Sequence, residues 1–221
     1  MCGRFTLKTP AAQWLPHFGI QHGADLNLRY NIAPTQSVAT VVNRQGQRTL
    51  AEMRWGLIPF WAKDKSIASR LINARAETVA SKPAFRASFK SRRCLIIADG
   101  FYEWLSTDHG KQPVYIRLRN EQPFAFAGLW DHWKNEEDEA IESCTIITTH
   151  ANSLLEEVHA RMPVMLDDRV YDLWLDEELH DKQRLEELLQ PYPAREMKYS
   201  PVSQTVNSPR NDSPECIAGA N

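Results

Sequence analysis

An α+β fold, built on a curved, mainly antiparallel β-sheet or partial barrel with peripheral helices, is what the sequence predicts. Short apolar runs of strand length recur with turn residues between them, helical periodicity is confined to a few segments, and no βαβ alternation with a Gly-rich loop points to a nucleotide-binding sheet. No Gly/Ser-rich linker, low-complexity tract or internal repeat divides the 221 residues. One domain over residues 1–221 is therefore expected, with the turn-rich stretch after about Asn207 fraying.

Taken in order, the first helical signal covers residues 9–18. Strand-like residues 38–42 and 49–55 flank residues 43–47, a hairpin loop with Gly46 at its left-handed position. Further strands are predicted at residues 94–104, 114–118, 124–130 and 143–149. Helices are predicted from about Asn152 and over residues 167–175 and 181–189. Ser153 and Glu156 have capping-box spacing, and Pro163 ends the first of these.

With 43% hydrophobic residues and seven Trp there is ample material for a core, and the formal net charge is only -2. No run approaches the roughly 18 apolar residues of a membrane span, and Met1-Cys2-Gly3-Arg4-Phe5 opens no signal-peptide layout. A monomer in the cytoplasm, or in the nucleus where the cell has one, is expected, with no membrane partner. The near-balanced charge hides an asymmetry. Residues 63–93 carry nine basic side chains (Lys63, Lys65, Arg70, Arg75, Lys82, Arg86, Lys90, Arg92, Arg93) against Asp64 and Glu77, whereas acids dominate residues 134–190. The basic stretch is a candidate phosphate-binding face, although a solvated basic loop has the same composition.

The four cysteines (Cys2, Cys94, Cys144, Cys216) are far apart and no CxxC or HExxH spacing occurs, so no disulfide, metal site or cofactor is expected. Cys94 and Cys144 lie in apolar runs and read as small buried hydrophobes. Cys2 is different. With the initiator Met removed, the chain begins with an α-amine and a thiol on adjacent carbons. The amine is partly unprotonated near neutral pH and the thiol supplies a minor, potent thiolate. The amine can form a Schiff base with an aldehyde, and the thiol can then close a five-membered thiazolidine with the help of high effective molarity. A second-position Cys can also be incidental, or a palmitoylation site, although no second anchor accompanies it.

Three more clusters carry chemistry. In an extended Asn73-Ala74-Arg75-Ala76-Glu77, an amide, a guanidinium and a carboxylate share one face, although a polar turn meets the same spacing. Glu103 lies at the end of an apolar run beside Phe101, Tyr102 and Trp104, which are expected to desolvate it and raise its pKa toward the range useful for proton transfer. A structural Glu paired with an Arg is the alternative. His159, before Ala160-Arg161-Met162-Pro163, is expected near a helix C-terminus, where the dipole favours the imidazolium.

These clusters, in this order, resemble the SOS response-associated peptidase family, whose domain forms covalent crosslinks to abasic sites in single-stranded DNA. The resemblance rests on Met1-Cys2-Gly3-Arg4-Phe5, Arg29-Tyr30-Asn31-Ile32-Ala33-Pro34, Arg54-Trp55-Gly56-Leu57-Ile58-Pro59, Asn73-Ala74-Arg75-Ala76-Glu77-Thr78, Asp99-Gly100-Phe101-Tyr102-Glu103-Trp104, His159-Ala160-Arg161-Met162-Pro163 and Pro201-Val202-Ser203. Each motif is short, but seven in register are hard to imitate by chance. The resemblance implies that Cys2 crosslinks, Asn73 positions the amine and sugar, Glu103 moves protons during ring opening and imine formation, and His159 assists. It implies phosphate or DNA contacts at Arg4, Arg75 and Arg161, a pocket shaped by Asn31 and Pro34, and an aromatic wedge at Phe60 and Trp61. Single-stranded DNA with abasic sites is then the expected partner, with a lyase branch and self-processing at Met1 as associated activities. Two other readings stay open: a thiol peptidase using Cys2 and His159, and a non-covalent single-strand binding module. Residues 106–111 and 135–142 receive no role.

Overall fold

The computed structural model describes residues 2–21 and 26–220. In chain order its first strands are β1 (Phe5–Leu7), β2 (Arg29–Ile32), β3 (Ser37–Arg44), β4 (Gln47–Trp55), β5 (Asn73–Arg75) and β6 (Arg93–Ala98). There follow β7 (Gly100–Thr107), β8 (Gly110–Leu118), β9 (Phe124–Lys134), β10 (Ala140–His150), β11 (Arg161–Pro163), β12 (Met165–Leu166) and β13 (Met197–Pro201). One antiparallel sheet has the order β13-β8-β7-β1-β2. In the other, the pairings β3 with β4, β4 with β10, β10 with β9, β9 with β6 and β6 with β3 form a circuit. The two parallel pairings both involve β10, with β4 and with β5. The expected mainly antiparallel sheet curling into a partial barrel is what forms.

Local chemistry explains the boundaries. The β3–β4 turn is tighter than the five-residue loop expected: Arg44 pairs with Gln47, and only Gln45 and Gly46 turn, at φ of 57° and 79°. Two successive left-handed residues match the twist of the flanking strands. The run 94–104, expected as one strand, breaks at Asp99 into β6 and β7, which belong to different sheets. The Asp99 carboxylate accepts from Thr6 Oγ1 at 2.5 Å, from the backbone N–H groups of Lys8 and Thr9 at 2.7 Å each, and from Thr9 Oγ1 at 2.8 Å. Gly100 follows because any Cβ there would lie 2.2 Å from the Tyr115 ring. This junction anchors β1 beside β7.

Helices are short and peripheral: α1 (Ala11–Trp14), continued by a 3-10 turn Pro16–Phe18, then α2 (Arg86–Ser91), α3 (Tyr171–Leu175) and α4 (Lys182–Glu187). α2 was not expected. The helix expected from Asn152 is a series of turns in which Asn152 Oδ1, not Ser153, accepts the N–H groups of Leu154 and Leu155 at 3.1 Å each. An Asn side chain competing for backbone donors favours turns over helix propagation.

One apolar core joins the two sheets. Phe5 of β1 packs edge-on against Trp55 of β4 and Phe126 of β9, with centroids 5.1 and 5.7 Å apart. Cys94 and Cys144 are buried in that core, as their surroundings in sequence imply. The expected frayed tail is corrected. Asn31 Nδ2 donates to the carbonyls of Val206, Ser208 and Asn211 at 3.2, 3.0 and 2.6 Å, and Asp212 accepts the N–H groups of Tyr30 and Asn31 at 2.5 and 2.8 Å. Turn-rich residues form a clasp here because their carbonyls meet donors on the edge strand β2.

Candidate active site and nucleic-acid face

Cys2 is fully buried where the N-terminal segment enters β1. That segment is held by Tyr102 N–H, which donates to Arg4 O at 2.9 Å, and by the pairing of Phe5 with Phe101. Asn73 comes from β5, a three-residue strand pinned in parallel beside β10 and preceded by Ile72, whose carbonyl accepts the Trp55 indole N–H at 2.9 Å. Its Nδ2 donates to Cys2 O at 2.8 Å. Its Oδ1 is buried with no hydrogen-bond partner among the described residues.

Glu103 lies on β7 and is 6% exposed. Burial, and then the nearby Glu103 carboxylate, push the Cys2 thiol far above the usual thiol range. The aromatic neighbours divide by strand alternation: Phe101 belongs to the face and core of Glu103, while Tyr102 and Trp104 point the other way, toward Val202 and Val206. Only one of the three aromatics expected to desolvate Glu103 thus shares its face.

His159 Nδ1 lies 2.9 Å from the N–H of Arg161 and 3.1 Å from its carbonyl. A neutral ring can accept from the first and an imidazolium donate to the second, so one backbone residue can orient both protonation states. It follows a run of turns rather than a regular helix, which removes the dipole argument made for it.

The basic residues separate into two populations. Arg4 Nη1 donates to Asn31 Oδ1 at 2.7 Å and to Val206 O at 2.8 Å, and its guanidinium lies 5.8 Å from the Trp104 ring centroid. Burial lowers its pKa. Arg161 forks onto Glu77 at 2.7 and 3.1 Å and donates to Thr148 O at 2.5 Å. Arg93 is buried, donating to the carbonyls of Phe89, Lys90 and Trp174 among others, so it belongs to the fold rather than to a surface. Lys65 pairs with Glu139 and Arg92 with Asp131. Lys63, Arg70, Arg75, Lys82, Arg86 and Lys90 remain exposed. Phe60 and Trp61 are exposed as well, beside a cleft of about 400 Å³ that Pro83, Arg86 and Ala87 complete. Pro34 is half-buried, two residues after β2 and within the turn that Gln36 N–H closes onto Ala33 O, next to Thr35, whose N–H donates to Trp55 O at 2.8 Å.

Sequence reasoning gave Thr148 no role and cast Trp104 only as a neighbour that desolvates Glu103. Thr148 pairs with Arg75 across β5 and β10 while its carbonyl holds Arg161. Trp104 stacks near Arg4 and donates to Asn207 Oδ1 at 2.7 Å. Trp104 was visible in its motif, but nothing local marks Thr148 in an apolar strand.

The chain is 45% identical over 221 residues to the abasic site processing protein YoqW of Bacillus subtilis, covering 98% of this chain and 99% of that one. It is 35% identical to the abasic site processing protein HMCES of Xenopus tropicalis, over 78% of this chain and 58% of that protein. A crystal structure of a protein from Bacteroides thetaiotaomicron superposes with a TM-score of 0.88 at 26% identity, covering all of both chains. Residues 1–209 match the family model described as SOS response associated peptidase, and the chain belongs to that family.

Proposed function

We propose that the protein senses and protects abasic sites in single-stranded DNA by bonding covalently to the ring-opened sugar through Cys2. The observation that carries this reading is the buried Cys2 with Asn73 on its carbonyl and the Glu103 carboxylate close enough to perturb its thiol. The family, and relatives named for abasic site processing, support it.

The free abasic sugar is mostly a closed hemiacetal. Glu103, as the acid, assists opening to the aldehyde. The α-amine of a chain starting at Cys2, held by the unfilled Oδ1 of Asn73, attacks the aldehyde carbon and water leaves as the imine forms. The Cys2 S–H then adds across the C=N bond, sulfur to carbon and the proton to nitrogen, closing the thiazolidine. Attack by the amine first and the thiol second suits a thiol whose pKa burial raises. His159 serves as a further proton carrier. A lingering imine leads to β-elimination and strand cleavage, so protection and lyase activity are branches of one intermediate.

A peptidase acting through Cys2 and His159 has less support, since such a nucleophile works as a thiolate in an open groove and Cys2 is buried. The same chain is proposed to act in the cytoplasm, or the nucleus of a cell that has one. Incubation with an abasic oligonucleotide followed by denaturing electrophoresis tests the reading. A shifted band that survives heating without reductant is expected, and its absence overturns the covalent mechanism.

A further inference from the structure

Phe60 and Trp61 are 57% and 48% exposed, and with Leu28 they are the large exposed hydrophobic residues among those described. Aromatic rings left in water do not fix their own loop, so the loop must be held from beneath. Three side chains of the β9–β10 hairpin hold its backbone. Ser143 Oγ accepts from Ile58 N–H at 2.8 Å, Asp131 Oδ2 accepts from Phe60 N–H at 3.1 Å, and the Trp133 indole donates to Ala62 O at 2.8 Å. Asp131 and Ser143 are directly opposed in the β9–β10 register.

Asp131 also reaches the other wall of the cleft. It is 3% exposed, forms an ion pair with Arg92 at 3.2 Å just beyond α2, lies 3.5 Å from Ser88 Oγ within α2, and accepts from His132 N–H at 2.9 Å. The Arg92 guanidinium in turn lies 6.0 Å from the Phe60 ring centroid. One buried carboxylate thus ties the aromatic loop to the helix facing it. The hydrogen bonds to Asp131 and its ion pair with Arg92 together fix the local geometry.

We propose that Asp131, assisted by Ser143, is a positioning residue for DNA binding: it sets the spacing between the Phe60–Trp61 platform and α2, and so the width of the cleft in which an unpaired base stacks. The inference rests on the reading that the chain binds single-stranded DNA. A merely structural Asp131, neutralising Arg92 within the fold, would affect stability without favouring one surface over another.

A double-mutant cycle on the full chain separates these cases. Fluorescence anisotropy with an intact single-stranded oligonucleotide is measured for wild type, Asp131→Asn, the Phe60→Ala/Trp61→Ala pair, and the triple variant. Base stacking is strong enough that Asp131→Asn is expected to weaken binding about 5–10-fold in the wild-type background, and within about twofold once both rings are gone. No binding by the wild-type chain overturns the DNA reading and this inference with it. Wild-type binding that loss of both rings does not weaken, or an Asp131→Asn penalty that persists in full without them, overturns the positioning role alone. Should Asp131→Asn not fold, Ser143→Ala removes the neighbouring anchor without touching a charge, and a fully additive result in the same cycle overturns the clamp.

Discussion

Cys2 and Glu103 are buried between strands drawn from β1, β5 and β7, while Phe60 and Trp61 stand in water on a loop whose backbone is held from beneath by side chains of the β9–β10 hairpin. The first region is assembled from residues 2, 73 and 103, held together by long-range sheet pairing and core packing around Phe5. The second is nearly contiguous in sequence. A nucleophile benefits from a dry, fixed setting that keeps its proton until needed, whereas a stacking surface must stay open for bases to arrive. Chemistry and recognition are therefore expected to respond separately to substitution.

The largest expected effect is at Cys2. Cys2→Ala should abolish the heat-stable adduct, because an amine alone makes only a reversible imine, while affinity for intact single strands stays within about a few-fold. Denaturing electrophoresis and anisotropy on the same samples check both halves. Intact mass spectrometry of active wild type should show a chain starting at Cys2; retained Met1 in protein that still crosslinks would remove the mechanism.

Next comes Glu103→Gln, which keeps size and polarity but cannot carry a proton. Crosslinking should slow by roughly 10²-fold, the lower end for general acid–base catalysis, with DNA affinity little changed. Equal rates for wild type and variant across pH would reduce Glu103 to a structural carboxylate.

A smaller effect separates two arginines that the sequence alone treats alike. Arg75→Glu, at an exposed position, should lower DNA affinity on any sequence, flatten its salt dependence and leave thermal stability unchanged. Arg161→Glu should weaken binding and also cost about 2 kcal/mol of stability, because it sets a carboxylate against Glu77 and strips a donor from Thr148 O. Melting curves beside salt titrations decide the matter. Equal stability for the two variants would show that the Arg161 fork contributes nothing to the fold.

The smallest effect is the pH dependence of that fork. The Arg161 hydrogen bond lowers the Glu77 pKa below its ordinary value, so its stabilisation is present above the usual carboxylate range and lost as pH falls through the depressed folded-state pKa. Glu77 is half-exposed, and after solvent screening the contribution should stay below about 1 kcal/mol. Glu77→Gln should abolish this part of the acid-side slope in a stability–pH profile.

Apolar periodicity and turn chemistry by themselves determined the α+β class, the β3–β4 hairpin and the long strands β3, β4 and β8–β10, because these depend on neighbours a few residues apart. Motif content singles out Cys2, Asn73 and Glu103, which the fold brings together, and His159. What only tertiary structure decided was which polar groups are already satisfied. Arg4 and Arg161 read as free cations, yet are committed to Asn31, Val206, Glu77 and Thr148; Arg93 reads as part of a basic face, yet is buried among backbone carbonyls. The 94–104 run gives no local sign that Asp99 will collect donors from residues 6–9 and send its two halves into different sheets. The residues after Asn207 have the composition of a loose tail and became a clasp because β2 offered an unpaired edge. Hydrogen bonds and ion pairs between distant residues are set by where the chain brings their partners, and one residue's identity does not specify the partner it will meet.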